Sequence, residues 1–232
     1  MGGALIIGVV FMVIGWVVSS RLKSKFRKYS QTHLTRDLTG ADVARLMLAD
    51  NGIHDVQVTC VSGELTDHYN PTNKTVNLSE GVYHGRNAAA TAVAAHECGH
   101  AVQHAKAYSM LQFRSALVPI QNVSGQIMNF IMMAMIFGGA FVHNFWPMAL
   151  TIIVACYAMF ALFAVVTLPV EFDASKRALQ WVEARGIVTR QEHDMAKDAL
   201  KWAAMTYVVA AIGAITTLLY YVMLLMGGSR DE

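Results

Sequence analysis

His96-Glu97-Cys98-Gly99-His100 is where the chain most plainly offers chemistry. On a helix, residues i and i+4 share a face, so His96 and His100 can present two imidazole nitrogens to one metal ion. Glu97 lies one residue round, where a carboxylate can take a proton from water beside that ion. Two ligands and a general base are most of what a zinc hydrolase requires. A third protein ligand is still needed, with one position left open. The thiols are poor candidates: Cys98 points away from the histidine face, Cys156 lies in an apolar stretch and Cys60 in a predicted strand. Among the carboxylates Glu171 fits best, because it follows Pro169 directly after a long apolar run, with Asp173 and Glu183 as alternatives.

The elements that must carry these residues can be read around them. Asn87–Ala95 is helix-compatible throughout, and the helix is expected to run through the histidines to about Ser109. Upstream, Thr39-Gly-Ala-Asp42 is a capping box opening a helix over 41–50, with Asn51-Gly52 as its stop. Val56–Val61 alternates in β-branched residues and predicts a strand; Asp67–Lys74 is turn chemistry; Thr75–Leu78 is a second short strand. Thr75–Leu78 is expected to be either an exposed edge that could hold an extended peptide through its main chain or an ordinary internal strand of a small sheet. Downstream, 168–179 predicts a helical segment ending near Arg185-Gly186. Thr189-Arg-Gln-Glu192 is another capping box, whose helix can run on without interruption.

Of the 232 residues, 55% are hydrophobic, too many for an ordinary soluble domain. Four stretches have the length and composition to cross about 30 Å of hydrocarbon: Gly2–Ser20, Val123–Val142, Pro147–Leu168 and Ala203–Gly227. The first lacks a basic n-region and a small-residue cleavage site, and reads as a retained anchor. Every Lys and Arg except Arg230 falls within 21–122 or 169–202. The positive-inside rule therefore places both segments in the cytoplasm, with the short loop 143–146 and the termini outside. The second and third spans return the chain to the side it left, which lets Glu171 meet the histidines. A net charge of +2 gives no reason to expect nucleic acid. The basic cluster 21–28 is a topology signal that can also touch anionic lipid. Three scattered cysteines imply no disulfide framework.

Three runs, A-A-H-E-C-G-H-A-V-Q-H, N-L-S-E-G-V-Y and L-P-V-E-F-D-A-S, resemble the YugP-like family of bacterial membrane-bound neutral zinc metallopeptidases over essentially the full length. More distantly the chain resembles integral-membrane gluzincins of the heat-shock and CAAX-processing type. The resemblance implies one Zn2+ per chain on His96, His100 and Glu171, with Glu97 as base. Those distant relatives carry an Asp four residues after the glutamate ligand. Here Ser175 stands there and the acid is Asp173, so either could support a zinc histidine. His104 continues the stripe but lies too far along to ligate. His68, Tyr83, His84, Arg177 and His193 are candidates for steadying an oxyanion.

The expected fold class is a mainly α-helical polytopic membrane protein, four transmembrane helices with a small cytoplasmic α+β zincin-like module. Residues 1–20 form the first span, 21–122 the module, 123–168 a hairpin of two spans, 169–202 the helices bearing Glu171, and 203–232 the fourth span and tail. The expected activity is hydrolysis of membrane-associated or misfolded protein at the cytoplasmic face of the bacterial inner membrane. The competing expectation is a membrane scaffold or chaperone-like protein with a structural or vestigial zinc site. Cleavage within the bilayer fits less well, because Gln103, His104 and Lys106 make the motif helix polar.

Overall fold

A computed structural model describes residues 2–137 and 145–228. Expectations that fall on 138–144 and 229–232, including Gly138-Gly139, the loop residues His143 and Asn144, and Arg230, lie outside the described residues. In chain order the elements are α1 (Gly2–Ser30), α2 (Gly40–Asp50), β1 (Gln57–Val61), β2 (His68–Asn70), β3 (Thr75–Ser79), α3 (Glu80–Tyr83), α4 (Ala88–Ala105), α5 (Ser109–Phe137), α6 (Trp146–Ala184) and α7 (Arg190–Gly228). Among the described residues the chain is mostly helical, with one small sheet.

Four helices, α1, α5, α6 and α7, are long and apolar enough to cross a membrane. Their outer faces confirm the character of the sequence. Leu5 is 71% exposed, Trp16 70% and Phe130 76%, a surface that water would penalise and hydrocarbon would not. The apolar parts of these helices, up to Trp16, Phe113–Leu168 and from Tyr207 on, form one compact unit. Small residues admit large neighbours there. A Cβ on Gly213 would stand 3.1 Å from the Phe11 ring. Tyr157 and Tyr221 stack with ring centroids 5.1 Å apart.

The second compact unit is Val17–Gln112 with Pro169–Thr206. Its core gathers Leu34, Val43, Met47, Leu78, Val82, Cys98, Val182, Ile187 and Leu200, all buried. The capping box at Thr39 forms as the sequence predicts: the Asp42 N–H donates to Thr39 Oγ1 and the Thr39 N–H to the Asp42 carboxylate, each at 3.1 Å. Gly52 then turns the chain at φ +70°, a conformation that suits glycine. At the far end of α2, Asp50 accepts from Trp181 Nε1 at 3.0 Å and pairs with Arg185 Nε at 3.1 Å, tying α2 to α6. Glu192, buried at the start of α7, accepts from the Thr189 N–H (2.6 Å) and from the Thr35 N–H (2.7 Å) and hydroxyl (2.8 Å). One carboxylate thus caps a helix and anchors the strand-like segment after α1.

Four expectations are corrected. Asp67–Lys74 is not turn throughout, because His68–Asn70 is strand β2. The strand order is β1-β3-β2, with β1 parallel and β2 antiparallel to β3. Thr75–Leu78 therefore lies in the central strand, hydrogen-bonded on both sides, and cannot be the peptide-holding edge. The reason is burial: Val76, Asn77, Leu78 and Ser79 are all interior, as a strand paired on both flanks requires. The motif helix also ends earlier than Ser109. α4 stops at Ala105, and Ala107 adopts φ +49° before α5 begins. Finally, the segment 168–179 is no separate helix; it continues α6 without a break through Pro169.

Candidate metal centre

α4 is an alanine-rich helix set deep in the second unit. Asn87 caps it, its side-chain oxygen accepting the Ala90 N–H at 2.8 Å. Between Ala88 and Ala95 every residue but Val93 is buried, and their small side chains let other elements approach closely. One of them is α6. A Cβ on Gly99 would fall 2.6 Å from the Ala174 carbonyl oxygen, so only glycine allows the two backbones to meet there.

That contact brings Glu171 to the histidines. Its Oε2 stands 3.3 Å from His96 Nε2 and 3.5 Å from His100 Nε2. The three side chains are 13%, 12% and 4% exposed, a set largely sealed from water. One donor atom from each lies within 4.8 Å of the others. Ligands about 2.1 Å from a tetrahedral zinc sit roughly 3.4 Å from each other, so the observed separations suit such an ion. Two imidazoles and a carboxylate are also a ligand set that zinc favours. Of the alternatives for third ligand, Asp173 turns to Gln103 and Arg177, while Glu183 is 72% exposed and 3.9 Å from His193.

Glu97 points elsewhere, toward the sheet. Its Oε2 accepts the Tyr69 main-chain N–H at 3.0 Å, and the residue is only 9% exposed. In an antiparallel ladder the N–H and C=O of one residue face the same side. The Tyr69 carbonyl is therefore directed away from β3 as well, along the edge where Glu97 stands. The Tyr69 hydroxyl lies 2.9 Å from His104 Nδ1, which gives His104 a place beside β2. Asp67, just before β2, accepts the Ser79 N–H at 2.7 Å. Burial raises the Asp67 carboxyl above its ordinary range; the Ser79 hydrogen bonds oppose this and the Glu97 charge adds to it.

The field around the histidines is negative. Burial alone would lower the His100 imidazole, but the Glu171 hydrogen bond and the Glu97 and Glu171 charges outweigh it and raise the group. Such a pocket attracts a cation. Cys98, fully buried with its Sγ toward the Ala44 carbonyl at 3.5 Å, is pushed up by burial first and by Glu97 second. A thiol so held is inert, in keeping with its exclusion as a ligand.

Ser175 and Asp173, the two alternatives for supporting a histidine, both take part. Ser175 Oγ is 3.1 Å from His96 Nδ1. Asp173 reaches His100 through an intermediary, accepting at 2.8 Å from Gln103 Nε2, whose amide oxygen stands 3.0 Å from His100 Nδ1. Gln103 and the Tyr69 N–H are the two contributors that sequence reading passes over. A glutamine three residues after a candidate ligand was the available signal for the first. The main-chain donor leaves no trace in sequence. Of the candidates for steadying an oxyanion, Arg177 is bound to Asp173, His68 Nδ1 to the Thr66 carbonyl, and Tyr83 to Arg45, with His84 edge-on to its ring.

With this geometry in place the chain can be classified. A family model described as "Putative neutral zinc metallopeptidase" matches residues 4–226, and the chain belongs to that family. It is 41% identical over 212 residues, 91% of each chain, to the "Putative membrane protease YugP" of Bacillus subtilis (strain 168). No solved structure matches.

Proposed function

We propose that this chain is a zinc-dependent membrane endopeptidase, with His96, His100 and Glu171 as ligands to one zinc ion and Glu97 as general base. The observation that carries the reading is the convergence of three largely shielded donor atoms within 4.8 Å, beside a fourth, carboxylate-bearing residue held by the sheet edge. Zinc in that set would supply Lewis acidity, making a water acidic and polarising a scissile carbonyl. The chain's own work is then proton handling and positioning. Glu97, its Oε2 steadied by the Tyr69 N–H, accepts the proton of the attacking water and returns it to the leaving amine. The β2 edge suits an extended peptide, because its Tyr69 carbonyl offers an acceptor next to Glu97. Main-chain recognition of this kind selects for unfolded segments over any particular sequence.

The second unit is a zincin-like catalytic module on the cytoplasmic side of the bacterial inner membrane, in line with the placing of Lys and Arg along the chain. Membrane-associated or misfolded proteins are the substrates this location favours. The test uses detergent-purified wild type, Glu97→Gln and Glu171→Ala, with zinc per chain and peptide cleavage measured on each. Wild type should carry about one zinc. Glu97→Gln should keep the metal while losing at least about 100-fold in cleavage, and Glu171→Ala should lose the metal. Cleavage indifferent to Glu97 would instead favour a scaffold with a structural zinc site.

A further inference from the structure

Gln103 has no exposed surface at all, and a buried primary amide must find partners for both its ends. Its partners are the two ligand-bearing helices. The Nε2 group donates to the Val170 carbonyl and to the Asp173 carboxylate, each at 2.8 Å. Both are acceptors only, so the NH2 end must face them and the amide oxygen must face His100 Nδ1, 3.0 Å away. Reversal would set an oxygen against two acceptors. Asp173 is kept in its acceptor role by Arg177, whose Nε donates to it one turn along α6 and whose guanidinium lies 5.8 Å from the Tyr108 ring centroid.

An amide oxygen at Nδ1 requires that nitrogen to carry the proton. The lone pair of neutral His100 must then sit on Nε2, the atom 3.5 Å from Glu171 Oε2. Val170, whose carbonyl the same amide grips, immediately precedes Glu171. His96 has no such constraint, since the Ser175 hydroxyl at its Nδ1 can rotate to donate or accept. The two histidines are therefore unequal: one is preset and the other adapts.

We propose that Gln103 is a positioning residue that fixes His100 in its metal-accepting tautomer and, through the Val170 carbonyl, holds Glu171 in register with it. The inference rests on the zinc-site reading above. It makes the metal centre depend on a residue that touches neither metal nor substrate.

The experiment has two arms on the full-length protein. In zinc-free wild type at alkaline pH, where the ring is neutral, 15N spectra of labelled histidine should show His100 with its proton on Nδ1. A ring protonated on Nε2 would overturn the proposal. In the second arm, Gln103→Met preserves side-chain bulk without the hydrogen bonds. Chelator competition should show zinc held about 10–100-fold more weakly than in wild type, with tautomers mixed at His100. Affinity equal to wild type would reduce Gln103 to packing and overturn the proposal. Should Gln103→Met fail to fold, the wild-type tautomer decides alone. Failure of the zinc-site reading looks different, since wild type would then take up no zinc whatever its tautomer.

Discussion

Adjacent along a helix, His96 and Glu97 leave the axis roughly 100° apart, and each meets a different neighbour. The histidine turns to α6 and Glu171, the glutamate to β2 and the Tyr69 N–H. Separate surroundings for the proposed ligand and the proposed base would let the first hold a cation while the second keeps a carboxylate available for protons. At His96 the supporting group is the Ser175 hydroxyl. Ser175→Ala removes it without adding bulk, and zinc affinity should fall by about 10-fold or more, read by chelator competition. Affinity unchanged from wild type would show that His96 needs no partner at Nδ1. The pair of histidines and Glu97 were legible in the sequence because helical spacing alone joins them. Glu171 was legible because two apolar helices return the chain to it. The role of Gln103 was not, since its meaning depends on Val170 and Asp173, which lie nearly 70 residues away.

At the scale of elements, α4 crosses α6 backbone to backbone at Gly99. Gly99→Ala would drive a methyl into the Ala174 carbonyl, 2.6 Å from the new carbon. Backbone cannot yield as a flexible side chain does, so the helices must part. Overpacking of this kind costs about 1–3 kcal/mol. The expected result is a lower thermal midpoint together with weakened zinc retention, because the moving helix carries Glu171. Retention and midpoint equal to wild type would mean that the contact does not govern the site. Two helix starts were readable because Thr39 and Thr189 are local capping signals, whereas Asn87, read only as part of a helical run, is in fact the cap of α4. Strand β2 was hidden for the opposite reason. His68-Tyr69-Asn70 is short and flanked by turn-forming Asp67 and Pro71, and its strand character comes from pairing with β3. Pairing with β3 supplied the structure, and pairing with β2 as well as β1 made β3 central where an edge was one of the expectations. The stop of α4 at Ala105 was likewise unmarked, with Ala107 instead of glycine at the positive φ.

At the scale of the molecule, composition was the most legible signal of all. Long apolar runs announce the four candidate spans, and the exposed apolar faces of the helices agree. The proposed orientation can be checked with a thiol the chain already has. Cys60 is exposed on β1, whereas Cys98 and Cys156 are buried. A membrane-impermeant maleimide should label Cys60 in inverted membrane vesicles and leave it untouched in right-side-out ones. Labelling only in right-side-out vesicles would put the module outside the cell and reverse the topology.

Helix α6 is continuous from Trp146 to Ala184, so the residue completing the proposed ligand set is borne on the same rod as an apolar span. Glu171 comes 71 residues after His100, with α5 and the apolar part of α6 between them. During synthesis the ribosome delivers the two histidines and Glu97 first. The carboxylate arrives only after the hairpin has been made. A nascent or prematurely ended chain therefore lacks the complete proposed centre, and on that reading it could not cut a peptide before the hairpin had been made.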